Sequence, residues 1–186
     1  MKIDLSQQSQ SNYKIGRSKY INYLWYLVSS VIFISPYFPF YRLKVLILRL
    51  FGANIGFNVI IKPRVTIKFP WKLSIGNNSS LGECSWIDNL DMVSIGNNVC
   101  ISQSAYICTG SHDSRSQSFD LITKPIVLKD GVWIGSSSIV LQGVVCYENS
   151  ILSASSVAFT DLEESYIYRG NPAIKTKERI VKLRNY

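Results

Sequence analysis

The stretch ISQSAYICTGSHD, residues 101–113, contains the only histidine in the 186-residue chain, His112. Imidazole has an unperturbed pKa near 6.5, so it can take a proton from a hydroxyl group close to neutral pH. A carboxylate, Asp113, follows directly. The pair predicts general-base chemistry in this segment, with Asp113 either orienting the imidazole or facing water.

Metal chemistry is not expected from this sequence. The four cysteines, at positions 84, 100, 108 and 146, include no CxxC pair, and a single histidine cannot complete a usual zinc site. We therefore predict no metal and free thiols, in a reducing, cytoplasmic setting. No Gly-rich phosphate loop of the GxxxxGK[ST] type is present either.

The net charge of +8 is unevenly distributed along the chain. Residues 1–64 hold nine Lys/Arg against Asp4 alone, and the tail from Arg169 holds six against Glu178, whereas residues 65–168 carry about −5. An anionic partner fits this pattern: a membrane surface, a phosphorylated cofactor or a nucleic acid, the alternative being a solvated surface. Nucleic acid is disfavoured because the aromatic residues are not interleaved with the bases.

Residues 20–41 form a run of 22 residues without a charge. The run is long enough to span a membrane, but Asn, Ser and Pro interrupt it, and basic residues flank it. Three interpretations stay open: a helix packed on its own domain or a neighbouring subunit, contact with a membrane surface through residues 14–49, or a true span. Surface contact would make the protein peripheral at the inner face of the cell membrane.

Apolar residues then recur every six positions, and these steps run in phase over about a hundred residues. A period of six matches neither an α-helix nor an alternating strand. It fits short strands joined by tight corners, three to each coil of a triangular parallel β-solenoid, with the apolar residue inside. The positions are 55, 61, 67, 75, 81, 87, 95, 101, 107, 128, 134, 140, 146, 152 and 158.

Two other positions of the six-residue repeat also have a characteristic residue type. The next residue is often small, as at Gly76 and Gly135, and we expect it to turn the corner because glycine tolerates unusual backbone geometry. The residue four places on is small or β-branched, as at Val59 and Ser79, and should fit the narrow interior. The repeat breaks at residues 108–125, a polar excursion that contains His112.

The chain closely resembles the colanic acid biosynthesis O-acetyltransferases among the hexapeptide-repeat acyltransferases. The stretches that carry the resemblance are LRLFGANIG (48–56), PWKLSIG (70–76), WIDNLDMVSIGNNVCISQSAYICTGSHD (86–113), PIVLKDGVWIG (125–135) and RGNPA (169–173). The resemblance implies an all-β, left-handed parallel β-helix over residues 51–162 with an extruded loop at 108–125. A helical segment (1–50) would precede it, and a basic tail with a short C-terminal helix (163–186) would follow.

The resemblance also implies the reaction. We expect an acetyl-CoA-dependent O-acetyltransferase that modifies a sugar hydroxyl in surface polysaccharide biosynthesis, with direct transfer in a ternary complex and His112 as general base. The chains of this family pack as homotrimers with active sites between neighbours. Open alternatives are a small-molecule acceptor (an antibiotic, a free sugar or an amino acid) and a non-catalytic scaffold. A metal-dependent hydratase on the same fold needs three histidines and is excluded.

The same resemblance assigns residues to the acetyl-CoA cleft. Gly135 would let the cofactor approach closely, the Ser136 amide would face the thioester, and Ala154 would contact pantetheine. Trp133 would either wall the cleft or pack under the loop, and Lys177 would meet the phosphates together with the other tail bases, Arg169, Lys175 and Arg179. Two positions depart from the family pattern, Phe159 and Ile174.

Acceptor binding is assigned to Asp88 and Asn89 in WIDN, one coil before the loop, and to Asp113. The two WIDN residues interrupt the apolar pattern beside Ile87 and could bind sugar hydroxyls. They could equally form an Asx turn.

Overall fold

Short parallel strands repeat along most of the chain in the computed structural model, which describes residues 4–6 and 13–181. They form three sheets that make the three sides of a solenoid. Sheet A contains β1 (Asn54–Ile55), β4 (Leu73–Ile75), β7 (Val93–Ile95), β12 (Ile126–Leu128) and β15 (Val145–Cys146). Sheet B contains β2 (Ile60–Ile61), β5 (Ser80–Leu81), β8 (Cys100–Ile101), β13 (Trp133–Ile134), β16 (Ile151–Leu152) and β18 (Tyr166–Gly170). Sheet C contains β3 (Thr66–Ile67), β6 (Trp86–Asp88), β9 (Tyr106–Cys108), β14 (Ile139–Leu141) and β17 (Val157–Ala158).

The core of the solenoid is the predicted set of apolar residues. All fifteen positions of the six-residue repeat are at most 5% exposed. The small or β-branched residues four places on are buried as well, from Val59 to Ser156. Strands in successive early coils pair in register twenty residues apart, as Ser74 does with Ser94. The structure therefore confirms the parallel β-solenoid and the residues that fill it.

The corners differ from the prediction in one respect. The residues with left-handed backbone lie three places after the apolar residue, for example Asn78 and Asn98, both with φ of 57°. Gly76 is not among them; a Cβ there would lie 2.6 Å from the carbonyl carbon of Gly96 in the next coil. The small residue is therefore required by close stacking of the coils, and the idea that it turns the corner is wrong.

Two helices cover the first coil. Helix α1 (Lys19–Val28) continues into a π-helical turn (Ser29–Phe33), and α2 (Tyr41–Leu50) follows after a break. The Trp25 indole donates a hydrogen bond to the Ile67 carbonyl at 3.0 Å, and its ring centroid lies 5.1 Å from those of Phe33 and Phe51. Among the described residues, no helix combines the length and the apolar character that a membrane crossing needs.

The predicted C-terminal helix is wrong over the residues that the structure describes there. Strand β19 (Ala173–Glu178) runs antiparallel to β18 after a turn with a cis Asn171–Pro172 peptide. The last parallel strand, β18, has a free edge, and the turn brings residues 173–178 back along it, so edge pairing satisfies this backbone. Residues 182–186 of the predicted tail lie outside the described part.

Candidate active site

The excursion at residues 108–125 is a β-hairpin that leaves the solenoid between β9 and β12. Strands β10 (Gly110–His112) and β11 (Leu121–Thr123) pair antiparallel, with His112 opposite Leu121. Buried Thr109 fixes the base of the hairpin: its hydroxyl donates to the Asp88 carbonyl at 2.9 Å, and its carbonyl accepts from the Lys124 amide at 3.0 Å. The hairpin is thus anchored to the neighbouring coil.

The His112 ring is held by Phe119 from across the hairpin. The two rings stack with centroids 4.4 Å apart and 6° between their planes, and Nδ1 lies 2.9 Å from the Phe119 carbonyl oxygen. A carbonyl oxygen can only accept a hydrogen bond, so Nδ1 carries the proton of the neutral imidazole. The lone pair is then on Nε2, which is the tautomer that a base acting through Nε2 requires.

Asp113 does not provide the hydrogen bond at His112 Nδ1. Its carboxylate accepts from the Arg115 amide at 2.9 Å, as in an Asx turn. Nearby, the hydroxyls of Ser116 and Ser118 donate to the Asp120 carboxylate at 2.7 Å and hold its pKa below the usual value. These bonds order the turn that carries Phe119.

Four of the predicted cofactor residues line one cleft of about 420 Å³ along sheet B. They are Trp133, Gly135, Ser136 and Ala154. Trp133 is 45% exposed, its indole donates to the Ser102 hydroxyl at 2.9 Å, and it lines the cleft as part of the wall. No acceptor within residues 4–6 and 13–181 takes up the Ser136 N–H.

Coil stacking gives Gly135 a structural role beside the predicted one, and the close approach of the cofactor at Gly135 stays a prediction. A Cβ there would lie 2.5 Å from the Ala154 nitrogen and 2.7 Å from the Leu152 oxygen, in the next coil. Glycine is required at this position by coil stacking, whatever the cleft binds.

A second groove of about 440 Å³ shares Ser153 and Ile167 with the cleft and is lined also by Arg169, Thr176 and Lys177. Two of the predicted tail bases therefore lie next to the cleft. The other two are engaged elsewhere. Lys175 pairs with Glu163 at 2.6 Å, which raises the lysine pKa, and Arg179 donates to the carbonyls of Gly131 and Asn149.

The two acceptor candidates in WIDN, Asp88 and Asn89, differ in their burial and in their hydrogen bonds. Asp88 is 8% exposed, accepts from the Tyr106 hydroxyl at 2.9 Å and lies 2.9 Å from the Lys68 ammonium. Asn89 is fully buried; its amide bonds to the Phe69 N–H and carbonyl and to the Lys72 carbonyl. Asn89 is therefore a structural bridge between coils, and the prediction that it contacts a sugar is wrong, since it has no surface to offer.

His112 does not line the cleft that holds the predicted cofactor residues. Sequence reasoning missed Phe119 and Thr109, which hold the histidine and its hairpin. Phe119 acts partly through a backbone carbonyl, which leaves no residue signature, whereas buried Thr109 beside the end of the repeat was a weak signal. The described residues contain no group of three His, Cys, Asp or Glu side chains placed for a metal, and the four cysteines are free.

No family model matches the sequence. The chain is 39% identical over 157 residues to WcaF of Escherichia coli K12, whose name assigns it to colanic acid biosynthesis as an acetyltransferase; the match covers 84% of this chain and 86% of WcaF.

Solved structures show the same fold. The hexapeptide-repeat acetyltransferase VCA0836 of Vibrio cholerae matches with a TM-score of 0.77 at 24% identity over 88% of this chain and 94% of that one. Galactoside acetyltransferase in complex with coenzyme A matches with a TM-score of 0.77 at 19% identity, over 95% and 91% of the two chains. The shared architecture is the left-handed parallel β-helix that the resemblance implied.

Proposed function

This chain belongs to the hexapeptide-repeat acetyltransferases as a homologue of WcaF, and we propose that it transfers the acetyl group of acetyl-CoA to a sugar hydroxyl in the synthesis of a surface polysaccharide. The observation that carries the proposal is the cleft along sheet B, which joins an open backbone N–H at Ser136 to a groove with Arg169 and Lys177. Acetyl-CoA has its thioester at one end and its phosphates at the other.

Acetyl-CoA is proposed to lie along the cleft with its phosphates toward Lys177 and Arg169. These cations serve as point charges where no Gly-rich phosphate loop exists. Pantetheine then passes Ala154, and Trp133 forms one wall. VCA0836 has been crystallised with acetyl-CoA, which supports the choice of donor.

In the proposed reaction, His112 Nε2 takes the proton of the acceptor hydroxyl while its oxygen attacks the thioester carbon. The carbonyl oxygen gains negative charge in the tetrahedral intermediate, and the Ser136 N–H is the donor that stabilises it. Collapse of the intermediate breaks the C–S bond, and the departing sulfur takes the proton from imidazolium. The products are the O-acetyl sugar and CoA, without an acyl-enzyme.

The active form is proposed to be a homotrimer. Within one chain, His112 lies on a hairpin that does not line the cleft. A neighbouring chain that presents its hairpin to this cleft would complete the site, as closed cyclic assemblies allow. Each site would then use His112 from one chain and Ser136 from the next.

The acceptor is proposed to bind beside the hairpin, with Asp88 and Asp113 accepting hydrogen bonds from sugar hydroxyls. Asp88 lies at the end of β6 next to Thr109, which anchors the hairpin. The name of WcaF supports the proposed role in polysaccharide synthesis. The location is proposed to be the cytoplasm.

Calorimetric titration with acetyl-CoA, together with an assay of thiol release over a panel of sugar acceptors, tests the proposal. His112→Ala should bind acetyl-CoA as the wild type does while losing about a hundredfold or more in turnover. Ser114→Ala, at an exposed position of the same hairpin, is the control and should retain wild-type turnover. Absence of acetyl-CoA binding in both proteins would contradict an acetyltransferase and support a scaffold, and loss of binding only in His112→Ala would overturn the general-base assignment.

A further inference from the structure

The two N-terminal helices and the segment between them carry an unusual share of the exposed apolar surface. Of the 25 large apolar side chains exposed in the described chain, 14 lie between residues 20 and 50. We call these 14 side chains the helical face. They are Tyr20, Ile21, Tyr23, Leu24, Tyr26, Leu27, Val31, Ile34, Tyr37, Phe40, Tyr41, Leu43, Leu46 and Leu50.

Helix α1 is uncovered around most of its circumference. Trp25 is its one buried residue, and Tyr20 on the same helix is 88% exposed. A helix that is apolar on every side is normally buried on every side. An exposed patch of this extent marks a surface that meets a partner or a membrane.

The charges around the helical face indicate which kind of partner fits it. From residue 5 to residue 82 the sequence holds ten Lys/Arg and no Asp or Glu. Lys14, Arg17 and Lys19 are exposed just before or at the start of α1, and Arg42 is exposed on α2. Arg17 lines one surface pocket with Ile21 and Leu24, and Lys19 lines another with Tyr23 and Tyr26. Exposed bases beside an apolar, tyrosine-rich surface are complementary to an anionic lipid surface, where aromatic rings sit at the headgroup level.

We propose that the helical face docks the protein on an anionic lipid bilayer, with α1 and α2 lying in the interface. Each helix has ten residues, or about 15 Å, and a bilayer core is about 30 Å thick, so the helices lie on the membrane. Two copies facing each other through this surface are a poorer occupant, because a two-fold contact would bring like charges together with no acid in this part of the chain. The trimer proposed above is completed at the hairpin and at the cleft along sheet B, whose residues all lie outside residues 20–50. The proposal goes beyond the acetyl-transfer reaction and does not depend on it.

Co-sedimentation of the full chain with vesicles tests the proposal. The wild type should bind vesicles of phosphatidylcholine mixed with phosphatidylglycerol about tenfold more strongly than phosphatidylcholine alone, and added salt should remove the difference. Leu24→Glu combined with Leu27→Glu should abolish binding to both, and Arg17→Glu combined with Lys19→Glu should abolish the preference for the anionic vesicles.

Matched controls place the same changes outside the helical face. Met92→Glu with Tyr147→Glu, and Lys124→Glu with Lys129→Glu, alter exposed residues outside residues 20–50, and these variants should bind as the wild type does. Circular dichroism checks that each variant is folded. Binding of the wild type to neither vesicle overturns the proposal, as does a change of oligomeric state in the Leu24/Leu27 variant by light scattering, which would assign the face to a subunit interface.

Discussion

The His112 and Phe119 rings lie face to face across the hairpin, 4.4 Å apart at 6°, while the Phe119 carbonyl meets Nδ1 of the same imidazole at 2.9 Å. Phe119 also has a φ of 51°, a left-handed conformation that costs a non-glycine residue about 1 kcal/mol or more. One residue in a costly backbone conformation therefore supports the ring of His112 and sets its tautomer.

Phe119→Leu should lower kcat without changing the affinity for acetyl-CoA. The carbonyl that sets the tautomer stays, but loss of the ring contact, worth about 0.5–1.5 kcal/mol, should slow turnover about twofold to tenfold. Steady-state kinetics separates kcat from KM. Phe119→Tyr keeps an aromatic ring and should match the wild type. Unchanged kcat in Phe119→Leu would contradict the positioning role.

Gly135→Ala should destabilise the fold. The new methyl group would meet the Ala154 nitrogen and the Leu152 oxygen of the next coil, and overpacking of this kind costs about 1–3 kcal/mol. Denaturant unfolding measures the change. Ser136→Ala, one residue away in the same cleft, should keep both stability and acetyl-CoA binding because Ser136 is proposed to act through its N–H. If Gly135→Ala were as stable as the wild type, the prediction would be wrong, and the coils could move apart locally to accept the methyl group.

Lys177→Gln should weaken coenzyme A binding about fivefold, since it removes an exposed charge from the groove proposed to hold the phosphates. Lys175→Gln removes the same charge from the same strand, but Lys175 is already paired with Glu163, so it should bind coenzyme A almost normally. Titration calorimetry compares the two. Equal losses of coenzyme A affinity in the two variants would mean that the net positive charge of the strand governs binding, and not the position of Lys177 in the groove.

Asn89→Ala should lower stability without changing how the acceptor binds. Three buried hydrogen bonds to the Phe69 and Lys72 backbone disappear, at a cost of about 2–3 kcal/mol. Thermal melting reports stability, and the acceptor KM reports binding. A raised KM in a protein of normal stability would restore Asn89 as a binding residue.

Lys44→Met should change how stability depends on pH. The Lys44 ammonium is buried under α2, bonds to the Lys62 carbonyl at 3.1 Å, and has a pKa lowered by burial from 10.5. The unfolded chain binds more protons between the lowered pKa and 10.5, so stability should rise with pH in that window and be lost as pH falls through the lowered pKa. Lys44→Met should make this rise smaller and should not lower stability at neutral pH; the remaining rise comes from Lys72, whose pKa is also lowered by burial.

Denaturant unfolding from neutral pH to about 10.5 measures the effect. Lys129→Met, on an exposed side chain, is the control and should keep the rise. The same rise in Lys44→Met would assign the pH dependence to another group.

The solenoid could be predicted because each interior position recurs every six residues, so that burial appears directly as a sequence period. The candidate cleft followed from resemblance, and its residues line one surface. Geometry that depends on neighbouring coils could not be predicted: Asp88 and Asn89 are adjacent in sequence, yet only Asn89 is bridged to the backbone of the preceding coil. The strand at residues 173–178 likewise depends on the free edge of β18, which no local pattern in the tail encodes.

A ladder of side-chain hydrogen bonds runs along the corners between sheets A and B. It continues without a break from the coils before the hairpin to the coil after it. Asn77 bonds to the Phe57 amide and Asn97 to the Asn77 amide, each across twenty residues, and Asp130 bonds to the Asn97 amide at 2.8 Å across 33. The coils before and after the hairpin thus meet as direct neighbours. The hairpin can gain, lose or exchange residues over evolution without altering the register of the coils, so the acceptor site proposed beside it can diversify while the rest of the scaffold is inherited unchanged.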